Sequence, residues 1–82
     1  MIIEKSKWGH SATLDCKGQL CPVPIIMTEE RIEKLKRGDV LQVAYTDRGA
    51  KPDLLAWGKV TGHEILGFEE KSTASFAYIR KS

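Results

Sequence analysis

The feature that most constrains the fold of this chain is a pair of prolines, Pro22 and Pro24, directly before a stretch with helical periodicity. Proline is tolerated in the first turn of a helix because its missing N–H would have no intrahelical partner there. A helix is therefore expected from Pro22 or Pro24 to Lys36, with Gly38 ending it. Its apolar stripe, at spacings i, i+3, i+7 and i+10, consists of Ile25, Thr28, Ile32 and Leu35.

Four strands and a second helix are predicted from apolar spacing and from the glycines and prolines between apolar runs. The predicted strands cover residues 12–16, 39–46, 63–71 and 74–81. The strand at 39–46 is apolar on more than one face, which indicates a central position. The second helix follows a loop at residues 47–53, with Pro52 in its first turn and Gly62 as its C-terminal cap.

The order β-α-β-α-β-β predicts an α+β fold, a two-layer sandwich whose four-stranded mixed sheet carries both helices on one face. The first strand–helix–strand connection is expected to be parallel and right-handed, and the last two strands an antiparallel hairpin. We expect residues 12–82 to form a single domain and residues 1–11 to be a loose N-terminal lead-in.

The overall charge and the apolar runs exclude several classes of function. Thirteen basic and 11 acidic residues give a formal net charge of +2, without the basic excess of a nucleic-acid binder. No apolar run is long enough to span a bilayer, and the first ten residues lack a signal core, so a cytoplasmic location is expected. The two cysteines form no C-x-x-C pair and His10 and His63 lie at no zinc spacing, so no metal or cofactor is expected.

The candidate reactive group is the thiol of Cys21, which immediately precedes the predicted helix. Unpaired N–H groups and the positive end of the helix dipole favour an anion there, which predicts a lowered cysteine pKa. Because prolines donate no N–H, the sulfur would find donors only at Val23 and Ile25. Cys16 alternates with the apolar Leu14 and is expected to pack in the core; if exposed, it could act as a resolving thiol.

The stretch LDCKGQLCPVP, followed by a helix ending in LKRGD, resembles the TusA/SirA/YedF sulfur-carrier family, whose signature is Cys-Pro-x-Pro. The similarity runs from about Thr13 to Lys81. Supporting matches are Gly38, Asp47, Asp53-Leu54, Trp57, Gly62-His63-Glu64 and Ile79-Arg80-Lys81. The chain departs from the family at Lys17, where arginine is frequent, and at Arg48, where proline is frequent.

This resemblance implies that Cys21 accepts a sulfane sulfur atom as a persulfide and passes it on by thiol exchange. It implies a donor of the cysteine desulfurase or rhodanese type and an acceptor sulfurtransferase as partners. Because a carrier must meet both partners, a monomer is expected. Pro22, Pro24 and Gly18 would shape the site, Gly18 because its turn suits a positive φ. His63 pairs with no nucleophile in the sequence and is interpreted as structural.

A docking surface for such partners is predicted on the first helix, one turn from Cys21. Ile26 and Met27 point away from the apolar stripe and are expected to be exposed, with Arg31 and Lys34 beside them. Two alternative functions remain open from the residues alone. One is a redox switch that uses a Cys16–Cys21 disulfide, and the other is a non-catalytic nucleic-acid or ribosome-associated module.

Overall fold

The computed structural model describes residues 9–82, so most of the predicted lead-in at residues 1–11 lies outside the described residues. The elements are β1 (Ala12–Cys16), α1 (Val23–Ile32), β2 (Val40–Tyr45), α2 (Ala50–Thr61), β3 (Glu64–Glu70) and β4 (Ser75–Arg80). This order confirms the predicted β-α-β-α-β-β fold. Within residues 9–82, neither helix is long and apolar enough to cross a membrane.

The four strands form one mixed sheet in the order β1-β2-β4-β3. β1 pairs with β2 in parallel, with Leu14 opposite Val43, as expected of a strand–helix–strand unit. β4 runs antiparallel to both of its neighbours, so β3 and β4 make the predicted hairpin. β2 lies between β1 and β4, which confirms its central position.

An apolar core lies between the helices and one face of the sheet. Leu41, Val43 and Tyr45 alternate along β2 on this face and are buried. Both helices contribute to the same cluster, α1 through Ile32 and α2 through Leu54 and other side chains. Because side chains alternate along a strand, the polar Gln42 lies on the opposite face, where it donates a hydrogen bond to Tyr78. Both helices therefore cover one face, as predicted.

α1 is shorter than its sequence pattern predicted, since it ends at Ile32 and not at Lys36. Lys34 N–H and Leu35 N–H donate to carbonyls three residues back, which is the tighter 3₁₀ pattern. The chain then turns through Gly38 at φ 92°, so that glycine serves the following turn and not the helix end. The predicted extent of the first helix is wrong by about one turn.

α2 begins at Ala50, within the predicted loop, and places Pro52 in its first turn as expected. Gly62 caps the helix in the left-handed conformation, at φ 87°, and its N–H donates to Gly58 O, which confirms the predicted cap. Trp57 Nε1 donates to Glu29 Oε1 on α1 at 3.1 Å, so a side-chain hydrogen bond joins the two helices.

Candidate functional site around Cys21

Cys21 lies where two loops meet at one edge of the sheet. Because β1 and β2 are parallel, their C-terminal ends share this edge, and the loops that follow them come together. Cys21 N–H donates to Asp47 Oδ2 at 3.3 Å, and Gly18 N–H donates to Thr46 Oγ1 at 2.9 Å. The segment that carries the thiol is thus held by the end of β2.

The turn before Cys21 depends on Gly18, as the sequence predicted. Gly18 has φ 80°, a conformation that residues with a Cβ rarely adopt, and Gln19 N–H closes the turn on Cys16 O at 3.1 Å. Pro22 is the N-cap residue of α1 and its peptide bond with Cys21 is cis, while Pro24 is buried in the first turn. The three predicted site-shaping residues, Gly18, Pro22 and Pro24, therefore flank Cys21 in the chain.

The two backbone N–H groups that were expected to donate to the sulfur donate to backbone carbonyls instead. Val23 N–H donates to Leu20 O at 2.9 Å, and Ile25 N–H donates to Pro22 O at 3.1 Å. The first amides of α1 therefore close turns of their own and do not solvate a thiolate. The prediction that Val23 and Ile25 stabilise the sulfur anion is wrong.

The Cys21 sulfur faces the start of α2 instead. Its thiol donates a hydrogen bond to Asp53 Oδ2, and Sγ lies 4.0 Å from Gly49 O. The hydrogen bond to Asp53, then partial burial, then the negative charges of Asp53 and Asp47 raise the pKa of Cys21 from its ordinary 9.0 to about 11. The predicted lowering of this pKa is therefore wrong, because carboxylates surround the sulfur where helix amides were expected.

Asp47 and Asp53 are the site residues that the sequence analysis did not assign. Both appeared there only as family matches. The signal that could have found them is topological. An acidic residue after a strand parallel to β1 lies at the edge where Cys21 is, and a carboxylate in the first turn of the next helix points to the same edge.

Cys16 lies in the core, as expected of a strand residue that alternates with Leu14. It has 0% exposed surface, and its Sγ lies 3.9 Å from Met27 Sδ. Burial, followed by the negative charge of Asp15, raises the pKa of its thiol. Both cysteines are free, so the disulfide required by a redox switch is not formed.

The predicted docking surface is partly corrected by the structure. Ile26 is 53% exposed, as expected, but Met27 is half-buried and packs on the core beside Cys16. Met27 faces inward because the buried face of α1 is wider than the predicted stripe. Leu20, at 71% exposure, and the partly exposed Val23 are apolar residues near Cys21 that the sequence analysis passed over.

Arg31 and Lys34 differ in exposure. Lys34 is exposed, whereas Arg31 is half-buried, with an Nε that finds no hydrogen-bond partner among residues 9–82. His63 lies beyond the C-terminal end of α2, at the opposite end of that helix from Asp53. Its ring packs on Trp57 at 5.3 Å between centroids, and its Nδ1 accepts from Ser82 N–H at 3.1 Å. This placement agrees with a structural role.

The described part of the chain brings together no group of three histidine, cysteine, aspartate or glutamate side chains that could hold a metal ion. The site consists of one half-buried thiol, two carboxylates and a backbone carbonyl. This arrangement can form and break bonds to sulfur by thiol exchange, with Cys21 as the nucleophile.

Comparisons with known proteins identify the family and the fold. The family described as Sulfurtransferase TusA matches residues 12–81. Sulfur carrier protein TusA of Pseudomonas entomophila is 38% identical over 72 residues, which cover 88% of this chain and 90% of that protein. The crystal structure of a SirA-like protein from Desulfitobacterium hafniense has a TM-score of 0.76 at 24% identity, covers 85% of this chain and 96% of its own, and shows the same fold.

Longer proteins match as well. A Bacillus subtilis protein, YrkF, is 47% identical over 68 residues, which cover 83% of this chain but 37% of YrkF. An Aquifex aeolicus relative is 40% identical over 70 residues, which cover 36% of its length. The chain thus spans little more than a third of these two relatives.

Proposed function

The chain belongs to the TusA family, and on that premise we propose that it is a sulfur carrier in which Cys21 holds a sulfane sulfur atom as a persulfide. The observation that carries this proposal is the position of Cys21, a free and half-buried thiol at a loop edge, in contrast to the fully buried Cys16. A carrier needs one accessible thiol, and this site supplies it.

Loading is a thiol exchange without net oxidation. The Cys21 sulfur, as thiolate, attacks the terminal sulfur of the donor's persulfide, R–S–SH, and a new S–S bond forms. The donor's own S–S bond breaks, and the donor cysteine sulfur leaves with the electron pair. The proton lost by Cys21 goes to solvent, and the leaving thiolate takes one back. The products are Cys21–S–SH and the donor thiol, and the reverse exchange with an acceptor thiol unloads the carrier.

The proposed partners are a donor of the cysteine desulfurase or rhodanese type and an acceptor sulfurtransferase. Each must bring a cysteine to within bonding distance of Cys21, so each must cover the surface around it. Leu20, Val23 and Ile26 give this surface an apolar part that burial in a protein interface would stabilise. Arg31 lies on α1 and Lys34 just after its end, and a role for them in docking stays a prediction.

Intact-mass spectrometry after exposure to a small persulfide donor tests the proposal. Wild type and Cys16→Ser should each gain the mass of one sulfur atom, reversible by dithiothreitol, and Cys21→Ser should gain none. Trypsin cleavage after Lys17 separates the two cysteines into different peptides, so the modified residue can be assigned directly. Absence of an adduct on every form would contradict the proposal.

The docking surface has its own test in protein-to-protein transfer. Ile26→Asp should slow loading from a donor protein without changing loading by a small persulfide. Val60→Asp is a matched control, because Val60 is an exposed apolar residue on the last turn of α2. Equal slowing by both variants would argue against a specific surface near Cys21.

A further inference from the structure

The environment of the Cys21 sulfur opposes the species that the exchange reaction requires. Thiol exchange proceeds through the thiolate, yet the thiol proton is held in a hydrogen bond to Asp53. The charged groups that act on this sulfur are Asp53 on α2 and Asp47 in the loop after β2, and both carry negative charge. Ionisation of Cys21 would place a third negative charge beside them.

This local charge differs in sign from the chain as a whole. The formal net charge is +2, but the two carboxylates at Cys21 are held there by the fold, Asp47 through the Cys21 N–H and Asp53 through the first turn of α2. Asp53 forms no salt bridge within residues 9–82, unlike Asp15, which pairs with Lys17, and Glu64, which pairs with Arg80. A positive group brought by another molecule would therefore find an available carboxylate beside the sulfur.

We infer that Asp53 is a positioning residue that holds Cys21 as a hydrogen-bonded thiol in the free carrier, and that a cationic side chain beside the donor's persulfide lifts this restraint on docking. The inference rests on the proposed sulfur-carrying function and concerns the regulation of the same site. Pairing of the Asp53 carboxylate with the cation withdraws the acceptor from the thiol and offsets the negative charge near the sulfur.

Docking of the donor would strengthen the pairing of its cation with the Asp53 carboxylate. The exposed Leu20 and Val23 lie within two residues of Cys21 in the chain, so an apolar partner surface laid on them excludes water from the site. An ion pair is worth more where water is excluded, because charges are screened less there. The partner chemistry that fits is thus a persulfide-bearing cysteine with a lysine or arginine beside it and apolar side chains around it.

The balance of the loading step is unchanged by Asp53. The Cys21 proton leaves to solvent, the new bond joins Cys21 sulfur to the terminal sulfur of the donor, and the donor cysteine sulfur departs with the electron pair of the broken S–S bond. Asp53 sets how readily that proton leaves, and the partner's cation changes this property only while it is bound.

Asp53→Asn tests the restraint, because asparagine keeps the shape of the side chain and removes its charge. The first measurement is the pH dependence of Cys21 alkylation by iodoacetamide, followed by mass spectrometry of tryptic peptides. The midpoint should fall by about one pH unit or more in Asp53→Asn. It should fall less in Asp47→Asn, and should stay in place in Asp15→Asn, an exposed charge-matched control on β1.

The expected rate change near neutral pH follows from two opposing effects. Complete loss of the restraint would raise the thiolate fraction by roughly 100-fold, while the less basic thiolate would be roughly eightfold less nucleophilic. Alkylation of Asp53→Asn should therefore be about tenfold faster than wild type at most. Circular dichroism of each variant separates this effect from a loss of fold.

The second measurement compares a cationic methanethiosulfonate with an anionic one at the same pH. Wild type should favour the cationic reagent, and Asp53→Asn should lose much of that preference while Asp15→Asn keeps it. An unchanged midpoint in a folded Asp53→Asn protein would overturn the restraint. A lowered midpoint with an unchanged reagent preference would overturn the cationic partner. A lowered midpoint in a protein that never gains persulfide sulfur would refute the proposed carrier function and leave the Asp53 restraint standing.

Discussion

Substitution of Gly58 by alanine tests how closely α2 packs on β3, the contact that fixes the helix carrying Asp53. Gly58 is buried in the interior of α2. A Cβ added there would lie 2.7 Å from Ile65 Cγ1, 3.0 Å from Ile65 Cδ1 and 3.3 Å from His63 O. Ile65 Cγ1 is close to the backbone and His63 O is part of it, so neither moves away easily.

The sign of the stability change depends on two effects of similar size. Alanine is favoured over glycine in a helix interior by about 1 kcal/mol. Overpacking of a well-filled contact costs about 1–3 kcal/mol. Gly58→Ala should therefore lower the free energy of unfolding by roughly 0–2 kcal/mol, where an uncrowded helical glycine would raise it by about 1 kcal/mol.

Urea unfolding followed by circular dichroism measures this change, and a double-mutant cycle identifies its cause. Ile65→Ala removes the atoms that crowd the new Cβ, so in that background Gly58→Ala should become neutral or stabilising, with a coupling of about 0.5–3 kcal/mol. Ala56→Gly, at an exposed position of the same helix, supplies the propensity difference alone. Stabilisation by Gly58→Ala in the presence of Ile65 would refute the close packing.

Three further predictions concern the site and its supports. The raised pKa of Cys21 means that folding favours the protonated thiol, so its contribution to stability is complete below pH 9 and is lost as the pH rises through about 11. Urea unfolding across this range should show wild type losing stability relative to Cys21→Ser. Parallel stability curves for the two proteins would contradict the hydrogen-bonded thiol. Gly18→Ala places a Cβ on a residue with φ 80° and should lower the free energy of unfolding, measured by thermal unfolding, by about 1–2 kcal/mol. Unchanged stability would show that the turn does not need a glycine. Trp57→Phe removes the donor to Glu29 and should cost about 1 kcal/mol or more, while Glu29→Gln, which keeps an acceptor, should cost less.

The order of the elements could be predicted from the sequence because each signal is local. Proline in a first turn, glycine after a helix and alternation along a strand act over a few residues, and they placed both helices, the central β2 and the β3–β4 hairpin. The end of α1 was less predictable, since its apolar pattern continues to Leu35 while the backbone tightens after Ile32. Periodicity does not distinguish an α-helical last turn from a 3₁₀ turn.

The sequence predicted which residue is the reactive centre of the candidate site, but it did not predict the groups that surround that residue. Cys21 was identified from its place before Pro-Val-Pro, which is a property of the chain. The neighbours of its sulfur depend on where α2 begins and on which way the thiol turns, and both are set by tertiary packing. For the same reason the inward position of Met27 was missed: its contact is Cys16 on another element, and a helical stripe drawn from α1 alone does not include that contact.

The distance along the chain between Cys21 and Asp53, 32 residues, has a consequence for newly made protein. A ribosome releases Cys21 well before the residues of α2, so the thiol first exists without its carboxylate acceptor. During that interval it ionises as a cysteine in an unfolded peptide does and reacts with oxidants at the corresponding rate. Docking of α2 brings Asp53 to the thiol and lowers its tendency to ionise, so folding itself makes Cys21 less reactive than it is in the newly made chain.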